Sequence, residues 1–107
     1  MQTNGYGRVV NVSSEMGQLS DMGVGTAAYR ISKTALNALT TIFAAEVGRG
    51  NIKINCCTPG WVRTDMGGAD GDIDVQTSVA GMRTVMAGLS AADNGSFINY
   101  DGERLSW

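Results

Sequence analysis

At 107 residues the chain is long enough for one ordinary domain, or for a piece of a larger one, and too short for two. Its 43% hydrophobic and 17% charged content excludes a disordered chain, and the eight basic residues are scattered on a background of net charge -2, so no stripe tracks a phosphate backbone and nucleic acid is excluded as a partner. No apolar run approaches the roughly 20 residues that cross a bilayer, and "MQTNGYGR" lacks the charged start and apolar stretch of a signal peptide, so a cytoplasmic protein with no membrane partner is expected.

After the turn-forming "NGYG", residues 8–14 (RVVNVSS) form a short β-branched run whose Val9, Val10 and Val12 offer apolar surface to both faces, which predicts a buried parallel strand. Residues 15–27 carry glycines and no period, and read as a loop long enough to be functional. From about Ala27 to Val47 the spacing turns helical. Leu36, Leu39, Phe43 and Val47 make one stripe and Ile31, Ala35, Ala38, Ile42 and Ala45 a second. Two stripes imply two packing partners, the sheet and a neighbouring helix, the latter from a second subunit in one reading. "GRG" at 48–50 stops the helix.

"NIKINCC" alternates Ile52, Ile54 and Cys56 as a second strand, ended by Pro59 and Gly60. Neighbouring side chains in a strand point to opposite faces, so the adjacent Cys56 and Cys57 cannot easily pair; with no C-x-x-C spacing they read as buried thiols. A loop over 60–72 leads to a second helix from about Asp74 to Leu89, with Asp74 its N-cap and Val75, Val79, Met82, Met86 and Leu89 at helical spacing. "DNG" turns the chain into a last strand, "SFINY", and "DGERLSW" is a tail. Strand, helix, strand, helix, strand predicts an α/β fold with a parallel sheet covered by helices. Three strands are few for a doubly wound domain, whose six or seven strands take roughly 200 residues. The chain reads as about half of one.

Tyr29 and Lys33 stand four residues apart at the start of the first helix, on one face and about 6 Å apart along the axis. A phenol titrates near about 10, and an ammonium beside it favours the phenolate, so such a pair can move protons at neutral pH. Ser14, at the end of the first strand, could hold a carbonyl oxygen beside them. Open α/β sheets bind ligands at these carboxyl ends of their strands.

"GRVVNVSS", "AYRISKTALNALT" and "INCCTPGWVRTDMGG", in this order, resemble the C-terminal half of the short-chain dehydrogenase/reductase family, and "AYRISKTALN", "PGWVRTDMGG" and "YDGERLSW" look like its C-factor-like subgroup. The resemblance implies half of a doubly wound parallel-sheet Rossmann fold, three strands and two main helices, with an NAD(P)-dependent oxidoreductase function on a small carbonyl or alcohol substrate. Tyr29 would be the general acid/base and Lys33 would support it and hold the nicotinamide ribose. Ser14, in preference to Ser13, would position the carbonyl. Pro59 and Gly60 would let the backbone approach the nicotinamide, with Val62 and Thr64 at its carboxamide. Trp61 reads either as a pocket wall or as a partly buried loop aromatic.

Residues 1–107 would then be the catalytic half of the domain, a fragment lacking the dinucleotide-binding half, and the choice between NAD(H) and NADP(H) is not readable. "GVGTAA" (23–28) nominally matches a dinucleotide fingerprint, but no strand precedes it. The family also implies a homo-oligomer through the Tyr29 helix. The alternative is a short product that acts by binding, as an interaction or signalling protein, through that helix.

Overall fold

The β-branched runs and helical spacings assemble, in the computed structural model describing residues 1–107, as β1 (Gly7–Val12), α1 (Ala27–Val47), β2 (Ile52–Thr58), α2 (Val75–Gly88), β3 (Phe97–Asn99) and β4 (Arg104–Leu105). The strands lie in the order β1-β2-β3-β4. Val12 of β1 sits opposite Cys57, Thr58 of β2 opposite Asn99, and both pairings are parallel. The predicted helix limits agree with α1, and Asp74 caps α2 by accepting from the Thr77 N–H at 2.7 Å.

Three expectations are corrected. All seven residues of β2 are buried, but β1 is only half-buried and Val12 is 50% exposed, because β1 is the sheet's edge strand and has one neighbour. The segment 101–107, expected as a tail, turns back after Asn99 to make β4 antiparallel to β3. Gly102, at φ 93, makes that turn possible, and Trp107 then stacks on Phe97 with 5.4 Å between ring centroids.

The third correction concerns which face of α1 meets the sheet. The two apolar stripes mostly do not, Val47 at the end of the first being packed on the core: Ile31, Leu39, Ile42 and Phe43 are 42–67% exposed. The buried residues of α1 are Asn37, Thr40 and Ala44. Ala44 packs with Ile52 and Ile54, joined by Val9 and Val47, and the two polar residues are hydrogen-bonded into the sheet. Thr40 Oγ1 accepts from Asn11 Nδ2 at 2.8 Å and lies 3.0 Å from Cys56 Sγ, while Asn37 Oδ1 accepts from Ser13 Oγ at 2.5 Å. Satisfied polar groups can be buried at little cost, so hydropathy spacing misassigned the inner face. Both cysteines are free and buried, as expected.

Candidate active site

Parallel strands end on one side of a sheet, and there the structure gathers the residues singled out from sequence. Ser14 follows β1, Pro59 and Gly60 follow β2, and Tyr29 lies in the first turn of α1. Ser14, Tyr29, Pro59, Gly60, Val62 and Thr64 line one cavity of about 800 Å³. Lys33 does not line it. Its ammonium sits 5.7 Å from the Tyr29 ring centroid and donates to the Val12 carbonyl at 3.1 Å, beside the tyrosine and against the end of β1.

The paired serines diverge in the manner strand alternation requires. Ser13 is buried and donates to Asn37, whereas Ser14 reaches the cavity. Ser14 Oγ accepts from the Met16 N–H at 3.1 Å, capping the short turn Glu15–Gly17 and leaving its own hydroxyl proton free to donate. That turn is held against α1: Asn37 Nδ2 and Thr34 Oγ1 both donate to the Gly17 carbonyl, at 3.3 and 2.9 Å. Gly17 has to be glycine, since a Cβ there would lie 2.8 Å from the Lys33 backbone. The helix bearing Tyr29 and Lys33 and the turn bearing Ser14 are thus fixed to each other.

The loop after β2 is braced by its own bonds. Trp61 Nε1 donates to the Gly67 carbonyl at 2.8 Å and Gly67 N–H to Thr64 Oγ1 at 2.9 Å. Val62 forms an isolated parallel bridge with Ile73, built from Arg63 N–H to Ile73 O and Ile73 N–H to Trp61 O. In such a bridge the peptide groups of the bridging residue face the other way, and the Val62 N–H has no protein acceptor. Val62 lines the cavity near Gly60, at φ 76, and a backbone donor without a protein acceptor is the chemistry a carboxamide oxygen needs. The residues present fit a nicotinamide in that respect. Trp61 is 52% exposed and on the cavity wall.

Several cavity residues carried no sequence signal of function. Val75, Val79 and Met82, singled out from sequence only for their helical spacing, line the cavity. Ser78, buried among them, donates to the Pro59 carbonyl at 2.6 Å and ties α2 to the end of β2. Thr26 also lines the cavity, in a left-handed conformation (φ 48) that is unusual for a β-branched residue. Such strained residues concentrate at functional sites. The "GVGTAA" segment runs from a loop into α1, far beyond the end of β1.

Comparison with known proteins gives the same grouping throughout. The sequence profile described as short chain dehydrogenase matches residues 1–74. The chain is 38% identical over 101 residues to "C-signal" of Myxococcus xanthus, covering 94% of this chain and 61% of that protein. Among solved structures it is similar to the carbonyl reductase Sniffer of D. melanogaster, with a TM-score of 0.89 and 36% identity over 99% of this chain and 45% of that one. An NADPH-bound carbonyl reductase from chicken fatty liver matches at a TM-score of 0.86 and 36% identity, over 98% and 46%. The chain therefore spans about half to three-fifths of the length of these relatives, and its α/β fold is part of a Rossmann-type domain.

Proposed function

The chain belongs to the short-chain dehydrogenase family, and from that premise we propose that residues 1–107 are the catalytic half of an NAD(P)-dependent oxidoreductase acting on a carbonyl or alcohol. The carrying observation is the single cavity that holds Ser14 and Tyr29 with Lys33 beside the tyrosine. The NADPH-bound carbonyl reductase among its structural neighbours supports the nicotinamide cofactor. Pro59, Gly60, Val62 and Thr64 would hold that ring, and Lys33 its ribose. A reduced nicotinamide bound there would supply the hydride, an electron pair and a hydrogen for the carbonyl carbon.

The chain's own residues do the rest. The Ser14 hydroxyl donates to the substrate oxygen and holds it toward Tyr29. As the C=O π pair moves onto that oxygen, the Tyr29 hydroxyl gives it a proton and completes the alcohol. Lys33 stabilises the phenolate left behind. Running backwards, Tyr29 takes the alcohol proton.

The test is consumption of NADH or NADPH with an aldehyde or ketone, in this chain and in the longest reading frame that contains it. Tyr29→Phe should lower kcat by about 100- to 10,000-fold. Turnover unchanged by that substitution would overturn the assignment. A second reading, an interaction or signalling protein, is favoured by the exposed apolar residues on α1 and by the name of the Myxococcus relative. In the first reading copies of the chain would associate through α1; in the second, α1 would meet a partner or a full-length relative.

A further inference from the structure

The wall this chain gives the cavity has a chemical character that neither hydride transfer nor the Ser14, Tyr29 and Lys33 set requires. α2 presents Val75, Val79 and Met82 to it at i, i+4 and i+7, the turn after Ser14 adds Met16, and the braced loop after β2 adds Met66. Met66 is 80% exposed and Val79 44% exposed, so these side chains are not buried in any core. Large apolar groups left on a surface gain nothing there, and their convergence on one cavity marks a binding wall. Unbranched methionines from three separate segments adapt to ligands of different outline.

Charge is distributed unequally. Glu15 is the one ionisable carboxylate on this wall, and no Lys or Arg lines it. An anionic ligand would lose its hydration against methionine and valine, find the nearest ammonium, that of Lys33, held against the Val12 carbonyl beside Tyr29 and not on this wall, and meet the exposed Glu15. Size points the same way, because a cavity of about 150 Å³ holds a benzene and this one measures about 800 Å³. Several rings' worth of space remains after a nicotinamide ring is accommodated.

We infer that this wall selects bulky, uncharged carbonyl compounds and rejects anionic ones, including acyl groups carried on phosphate-bearing carriers. The reacting group rests on the oxidoreductase reading above; the preference for neutral apolar ligands does not. Benzaldehyde and its carboxylated counterpart, carboxybenzaldehyde, separate the two claims when binding is measured by calorimetry and turnover by nicotinamide consumption.

The neutral aldehyde should bind at least about tenfold more tightly, with the same order in kcat/KM. Glu15→Lys should shrink or reverse the ratio, and Glu15→Gln should shrink it less. Equal binding of the two aldehydes, tighter binding of the carboxylated one, or binding of neither would overturn the inference. A retained binding preference with no turnover of either aldehyde, measured in the longest reading frame that contains the chain, would overturn the oxidoreductase reading and leave this one standing.

Discussion

Ser13 and Ser14 show how one residue's placement decides its chemistry. Neighbours in sequence, they face opposite ways, and the buried Ser13 serves as a tie between β1 and α1 through Asn37. Asn37→Ala would strand the Ser13 hydroxyl without its acceptor and remove one of two donors to the Gly17 carbonyl. Leaving a buried polar group unpaired costs about 1–3 kcal/mol, so the thermal midpoint should fall by roughly 4–8 °C for each kcal/mol lost. A melting curve unchanged by the substitution would show that the tie carries no load.

Cys57 gives a pH dependence of definite sign. Burial, then the neighbouring Cys56, pushes its thiol from 9.0 up to about 11. The folded state therefore keeps a proton that the unfolded chain gives up. The associated stability is complete below pH 9.0 and is lost as pH rises toward about 11. Denaturant titrations across that window should show a decline in unfolding free energy that is smaller in Cys57→Ala. Equal slopes in the two proteins would contradict the assignment. That Tyr29 and Ser14 meet at one cavity with Lys33 beside the tyrosine was legible from sequence, because Tyr29 and Lys33 stand one helical turn apart and Ser14 ends a strand. Thr26 and Asn37 were not, since a strained φ and a buried hydrogen bond leave no mark on hydropathy.

At the scale of elements, α1 was readable in extent and misread in orientation. Its limits follow from helical spacing and from Gly48, at φ 65, which ends it. Its inner face is built from Asn37, Thr40 and Ala44, and a rule that equates apolar with inward cannot see polar side chains that find partners in a strand not yet placed. The face left outside carries Ile31, Leu39, Ile42 and Phe43. If copies of the chain associate through it, Ile42→Glu should convert the oligomer to a monomer in sedimentation while changing the melting midpoint little, because Ile42 is already 54% exposed. A wild-type chain that sediments as a folded monomer would remove the need for a partner. The short β4 was missed for a different reason: two residues are too few to show a period.

Across the whole molecule, 20 of 107 residues are buried, eight of them hydrophobic, and the seven residues of β2 form an unbroken buried run among them. The Cα radius of gyration is 14.2 Å, against about 13 Å for a compact chain of some 100 residues. The outer edge of β1 is open to a further strand, and its unpaired backbone groups are a template for one. The alternation of elements made the parallel sheet legible. The hairpin that completes it is itself local, Phe97 opposite Leu105, but its docking beside β2 and against the segment after Glu15–Gly17 joins distant parts of the chain.

Those contacts set an order of events during synthesis. The segment just past the Glu15–Gly17 turn is clasped by residues far downstream: Gln18 Nε2 donates to the Ser106 carbonyl at 2.7 Å and Ser20 N–H to the Trp107 carbonyl at 3.0 Å. On the ribosome, β1, α1 and β2 can emerge and pair first, because their contacts close over shorter stretches. The clasp must wait for a partner 86–88 positions later. A nascent chain halted in α2 would already carry its serine, tyrosine and lysine, with the rim beside the serine still unfastened.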